Sequence, residues 1–204
     1  LAKTGKPIVM VLNEGRPRLI TDIEPLAKAV INILLPGNYG GDALANLITG
    51  DACFSAKMPY IYPREINSLA NYDYKVSEEV GAMTGAYNYD AKVSLLWPFG
   101  YGLSYTTFEY SDIKLSDTAV GDDDILTVNA VITNTGNCAG KEIVQLYVAD
   151  KSGFAVRPEK ELKDFIKIEL QPGERKTVTF RLDKRAFSYY NEELGDWYAP
   201  NGKY

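Results

Sequence analysis

Histidine is absent from all 204 residues. That excludes Ser-His-Asp catalysis, Cys-His catalysis and every histidine-based metal site within this chain. Cysteine is nearly as scarce. Cys53 and Cys138 stand far apart with no CxxC pattern, which reads as two buried thiols, with a disulfide as the alternative. No apolar run approaches the ~20 residues that a membrane-spanning helix needs, and no signal peptide is visible. The opening Leu1-Ala-Lys-Thr-Gly5 reads like the middle of a domain. Basic clusters are missing too. With a net charge of −5 and a pI of about 4.9, a nucleic-acid partner is not expected.

What remains is an ordinary globular composition, 46% hydrophobic. Pro7 to Asn13 is a continuous apolar run that ends in polar residues, as a buried parallel strand does. Ile23 to Ala27 has room for one helical turn. Ala29 to Leu35 is a second buried strand, stopped by Pro36-Gly37. The segment PGNYGGDALANLITG then predicts a helix over 41–49. Asp42 suits the unpaired N–H groups of its first turn, Ala43, Leu44, Leu47 and Ile48 share one apolar face, and Gly50 is its stop. Two core strands are too few for a complete sheet covered on both faces, so the segment reads as part of a larger α/β layer.

Residues 65–104 are polar and tyrosine-rich, with glycines at 81 and 85, and show no periodic element. They read as a connector. From Tyr105 onward the pattern alternates. Strands are expected at 108–115, 125–133, 142–149, 162–170 and 176–182, with a sixth around Trp197 between Tyr189 and Tyr198. Short alternating strands at this spacing predict a β-sandwich, which needs about seven strands.

Pro36 to Arg64 (PGNYGGDALANLITGDACFSAKMPYIYPR) and Trp97 to Tyr105 (WPFGYGLSY) closely resemble the C-terminal half of family 3 glycoside hydrolases, the β-glucosidase group. The likeness extends more weakly across 106–204, which resembles the family's fibronectin type III-like module. It implies an α/β layer fragment followed by an all-β immunoglobulin/fibronectin III-like sandwich. Residues 1–64 would finish the α/β domain, 65–104 would connect, and 105–204 would form a sandwich whose last strand lies beyond Tyr204. The chain would then be cut at both ends. Departures at Ser55-Ala56, Met58-Pro59 and residues 72–92 point to a subgroup.

The resemblance further implies a retaining, exo-acting hydrolase of terminal β-linked sugars that uses no cofactor and no metal. Such an enzyme needs two carboxyl groups flanking the scissile bond. In the family the aspartate nucleophile comes from an N-terminal barrel, and the glutamate acid/base from the α/β layer upstream of Pro7. No catalytic residue is therefore expected in this chain, and the chain alone is expected to be inactive. The expected partners are an oligosaccharide or β-glucoside and the missing barrel, with self-association through open strand edges as a further option. The expected location is periplasmic or secreted.

Four features admit two readings each. Glu14 and Arg16 follow the first strand and either face a ligand cleft, since α/β sheets bind beyond the carboxyl ends of their strands, or form an ion pair or turn contact. Gly40-Gly41 lacks the Walker lysine and the GxGxxG spacing, so close backbone packing explains it better than phosphate binding. Trp97, Phe99, Tyr101 and Tyr105, with Tyr87 and Tyr89, serve packing or a sugar subsite. Asp122-Asp123-Asp124 is a solvated hairpin tip or a calcium site. A non-catalytic carbohydrate-binding or scaffolding module is the alternative function.

Overall fold

The structure, a computed structural model, describes residues 1–66, 71–73 and 94–204. The expected features at Gly81, Gly85, Tyr87 and Tyr89 lie outside the described residues. The chain divides into two compact units. Among the described residues the first takes 1–53, 58–66, 71–72 and 94–101, and the second takes 54–57, 73 and 102–204.

In the first unit, β1 (Val9–Leu12) and β2 (Ala29–Asn32) pair in parallel, with Val9 opposite Ala29 and Leu12 opposite Asn32. A 3-10 turn at Glu24–Leu26, with Pro25 in its first turn, forms the one helical turn expected there. Helix α1 (Gly40–Thr49) follows, with Asp42 in its first turn, and ends at Gly50, whose φ of 86° only glycine adopts without strain. Leu44 and Leu47 are half-buried, while Ile48 is exposed. The glycine pair behaves differently from expectation. A Cβ on Gly40 would lie 2.3 Å from the Pro36 ring carbon Cβ, so the close approach is to a side chain, and Gly41 has open space around it. β3 (Tyr62–Pro63) pairs antiparallel with β4 (Leu95–Trp97), a short element that the polar composition around it concealed.

In the second unit, β5 (Phe108–Leu115), β6 (Leu126–Asn134) and β9 (Arg175–Leu182) form one antiparallel sheet, and β7 (Gly140–Val148) and β8 (Glu161–Leu170) form another. Alternate residues point inward, as the period of two requires. Val128, Ala130 and Ile132 from β6 meet Val178, Phe180 and Leu182 from β9 and Val144, Val148 and Leu170 from the facing sheet. The two inner faces thus make a sandwich core. In β5 the register shifts between Ser111 and Lys114, and Asp112 adopts φ 51°. The stretch expected as one strand around Trp197 is a hairpin of β10 (Tyr189–Asn191) and β11 (Asp196–Tyr198). A short helix, α2 (Lys184–Phe187), precedes it. Its N-cap Asp183 accepts a hydrogen bond from the Ala186 N–H.

Neither cysteine is in a disulfide, and Cys138 is exposed rather than buried, because it sits in the turn between β6 and β7. Asp122–Asp124 lie in the exposed β5–β6 loop, where Asp122 pairs with Lys184 at 2.6 Å and Asp124 accepts the Gly121 N–H. Among the described residues no three acidic, histidine or cysteine side chains converge as a metal site.

Arg157 is buried between Asp150 (3.1 Å) and Glu161 (2.8 Å) and donates to the carbonyls of Phe187 and Ser188. Burial alone would raise the Asp150 and Glu161 carboxyls. Hydrogen bonds from Ser152 to Asp150, and from Arg157 and Lys163 to Glu161, outweigh it and hold both below the usual carboxylate range. A depressed folded-state pKa contributes stability that is present above the ordinary carboxylate value and is lost as pH falls through the depressed one.

Two outcomes are expected. Phe180→Ala empties the centre of the core and lowers stability by about 3–5 kcal/mol in urea denaturation. Acid unfolding followed by circular dichroism shows the sandwich weakening below pH ~4, and Arg157→Ala lowers stability at neutral pH while making its further loss on acidification shallower, because Asp150 and Glu161 are then less depressed.

Candidate functional site

The parallel pairing of β1 and β2 sends both carboxyl ends the same way. Beyond Leu12 the backbones stay in contact. The Ile33 N–H donates to the Leu12 carbonyl at 3.0 Å, and the Glu14 N–H donates to the Leu34 carbonyl at 3.1 Å. This brings Glu14, two residues past β1, beside Asn32, the last residue of β2. The Asn32 amide nitrogen lies 3.2 Å from Oε1 of Glu14 and donates to it. The same amide donates to the Tyr60 hydroxyl at 3.0 Å, and its oxygen Oδ1 accepts the Leu34 N–H at 3.0 Å. Leu34 is held at φ 51°, a region that a bulky side chain rarely occupies.

A bend at Tyr60 leads into β3, and the Tyr60 and Tyr62 rings lie with centroids 6.5 Å apart. Tyr62 is fully buried, packs edge-on against Trp97 with ring centroids 5.0 Å apart, and donates its hydroxyl proton to Glu14 Oε1 at 2.8 Å. Its hydroxyl oxygen accepts the Arg18 N–H at 3.3 Å. Burial above all pushes the Tyr62 phenol far above its ordinary value; the Arg18 N–H pulls it down, and the Glu14 carboxylate adds to the rise. It therefore remains a neutral donor throughout the biological pH range. Burial raises the Tyr60 phenol as well. Asn32 pulls it back in part, while the Glu14 charge adds to the rise.

Glu14 is therefore half-buried and tied to Tyr62 and Asn32, not to Arg16. Arg16 is exposed, and no hydrogen bond or ion pair from it to a described residue is present. Among the aromatics named from sequence, Trp97 packs on Tyr62, Phe99 stacks on Tyr72 at 4.1 Å, Tyr105 meets Phe54 edge-on at 5.4 Å, and Tyr101 is exposed. Sequence reasoning missed Asn32, Tyr60 and Tyr62. A signal for the first was present: Asn32 is the only polar residue in an otherwise apolar run from Ala29 to Leu35, and a buried amide demands partners.

With this geometry in hand, the likeness to known proteins is specific. Residues 1–105 match the glycosyl hydrolase family 3 C-terminal domain, and residues 142–204 match a fibronectin type III-like domain. The chain belongs to glycoside hydrolase family 3. It is 43% identical to the thermostable beta-glucosidase B of Acetivibrio thermocellus, over 100% of this chain and 28% of that protein. It is 37% identical to the periplasmic beta-glucosidase of Salmonella typhimurium, over 100% of this chain and 27% of that protein. Among solved structures, the beta-glucosidase of Listeria innocua in complex with glucose superposes with a TM-score of 0.88 at 33% identity, covering 98% of this chain and 29% of that one. The chain thus spans a little over a quarter of the length of the curated relatives it matches.

Tyr62→Phe removes the donor to Glu14 and leaves the Arg18 N–H without its acceptor. Urea denaturation is expected to show a loss of about 1–3 kcal/mol. Tyr60→Phe, which removes only one acceptor, costs less.

Proposed function

We propose that this chain is the C-terminal portion of a retaining, exo-acting β-glucosidase-like hydrolase that releases terminal β-linked sugars. The observation that carries the proposal is identity over the whole chain to beta-glucosidases about three and a half times as long. Both catalytic carboxyl groups lie on segments outside these residues. The nucleophile comes from a barrel domain and the acid/base from the α/β layer ahead of β1. Residues 1–64 complete that layer, 65–104 connect, and 105–204 form the accessory sandwich. The parent enzyme works in the periplasm or outside the cell, a reading supported by the periplasmic relative.

Glu14 and Arg16 serve as ligand-facing groups in this reading, at the carboxyl ends of parallel strands where α/β sheets bind their ligands. The arrangement around Glu14 suits binding better than proton transfer. Its Oε1 already accepts from two donors, which makes the side chain an anchored acceptor. A carbohydrate-docking role without catalysis has one observation in its favour, the half-exposed cross-strand pair Tyr190 and Trp197, with ring centroids 5.6 Å apart.

The purified 204-residue chain is expected to leave a chromogenic aryl β-glucoside intact, whereas the longer protein that carries it hydrolyses the same compound. Turnover by the chain alone, abolished when one of its own carboxylates is replaced, would overturn the proposal. Calorimetric affinity of the chain alone for oligosaccharides would favour the docking role.

A further inference from the structure

Asn32 makes three hydrogen bonds from one short side chain, and they divide into two kinds. Through Oδ1 it accepts the N–H of Leu34, whose left-handed backbone begins the loop toward α1. Through its amide nitrogen it donates to Glu14 Oε1 and to the Tyr60 hydroxyl, both about 3 Å away. The first bond shapes the loop, and the other two hold a carboxylate and a phenol side by side.

Both of those groups keep hydrogen-bonding capacity to spare. Among the described residues Glu14 Oε2 has no partner, and the Tyr60 hydroxyl accepts from Asn32 while its own proton has no acceptor. No buried side-chain nitrogen or oxygen among those residues lacks a partner, so the unpaired Glu14 Oε2 is not sealed from solvent, and Tyr60 is itself only half-buried. Among the described residues Glu14 is the charged group that bears on the Tyr60 phenol, with Asn32 and the neutral Tyr62 beside it. An ionised oxygen that accepts and a neutral hydroxyl that donates, fixed on one nitrogen, match neighbouring hydroxyl groups of a polyol, each of which both donates and accepts.

We infer that Asn32 is a positioning residue that presents Glu14 Oε2 and the Tyr60 hydroxyl together to adjacent hydroxyls of a sugar. The inference rests on the reading of this strand end as ligand-facing and adds to it Tyr60 as a second contact and Asn32 as the group that aims both.

Asn32→Asp separates the two kinds of bond. The new carboxylate still accepts the Leu34 N–H, so the loop is kept, but it cannot donate to Glu14 or Tyr60. The chain is labelled at its tyrosine ring carbons, Tyr60 is assigned by Tyr60→Phe, and its phenol is titrated by NMR with and without D-glucose. In the Asn32→Asp chain the Tyr60 titration is expected to move up by about one pH unit, since a stabilising donor is replaced by a like charge. Glucose is expected to shift the Tyr60 resonance in the unaltered chain and to lose at least tenfold in apparent affinity in the variant. A Tyr60 titration identical in the two chains, with the fold intact, overturns the positioning role and reduces Asn32 to a loop pin. A moved titration with no glucose response in either chain upholds the positioning of the pair and overturns the sugar-facing reading on which it was built.

Discussion

Buried polar groups must be hydrogen-bonded, and this requirement organises both units of the chain. A donor or acceptor taken out of water without a partner costs more than most single packing contacts supply. In the α/β unit, the carboxylate of Glu14 is tolerated because Tyr62 and Asn32 both donate to it. In the sandwich, fully buried Asn134 donates to the carbonyls of Cys138 and Leu170 and accepts from Thr106 and the Gly136 N–H. Glu142 is buried against Lys57 at 3.1 Å and the Tyr110 hydroxyl at 2.9 Å. In each case a polar side chain ties segments that are distant in sequence. The bonds have direction, so they specify one arrangement where apolar packing alone would tolerate several.

The same requirement bears on function. Glu14 is held by two donors, Tyr62 and Asn32. In the proposed reading these are anchored acceptors and donors for recognition, at the end of a parallel sheet, where such folds meet their ligands.

Much of the architecture was legible in the residues. The apolar runs around Val9 and Val30, the helix ended by Gly50 and the alternation of β5 to β9 all report local periodicity, and local periodicity is what a sequence displays most directly. The failures were of another kind. Tyr62 and Trp97 form a strand pair only because they meet across a long separation, and a pairing of two or three residues leaves no repeat to detect. The β10–β11 hairpin read as one strand because its turn, Glu192 to Gly195, is flanked by aromatics that keep the alternation going. Glu14 was visible as a polar residue past a buried strand. Its partners Asn32 and Tyr62 became identifiable only when the parallel register set Leu12 opposite Asn32. Arg16 carried the same sequence signal as Glu14 and turned out to be solvated.

The irregularity in β5 has a consequence for the life of the chain outside its own fold. Among the described residues β5 has one neighbour, β6, so its other side offers backbone N–H and C=O groups to any strand that approaches. The shifted register between Ser111 and Lys114, with Asp112 turned to a positive φ, breaks that row of groups and places charges along it. An incoming strand finds no continuous ladder to copy. Such an irregularity makes the β5 edge a poor template for a further strand, at the modest cost of one strained aspartate.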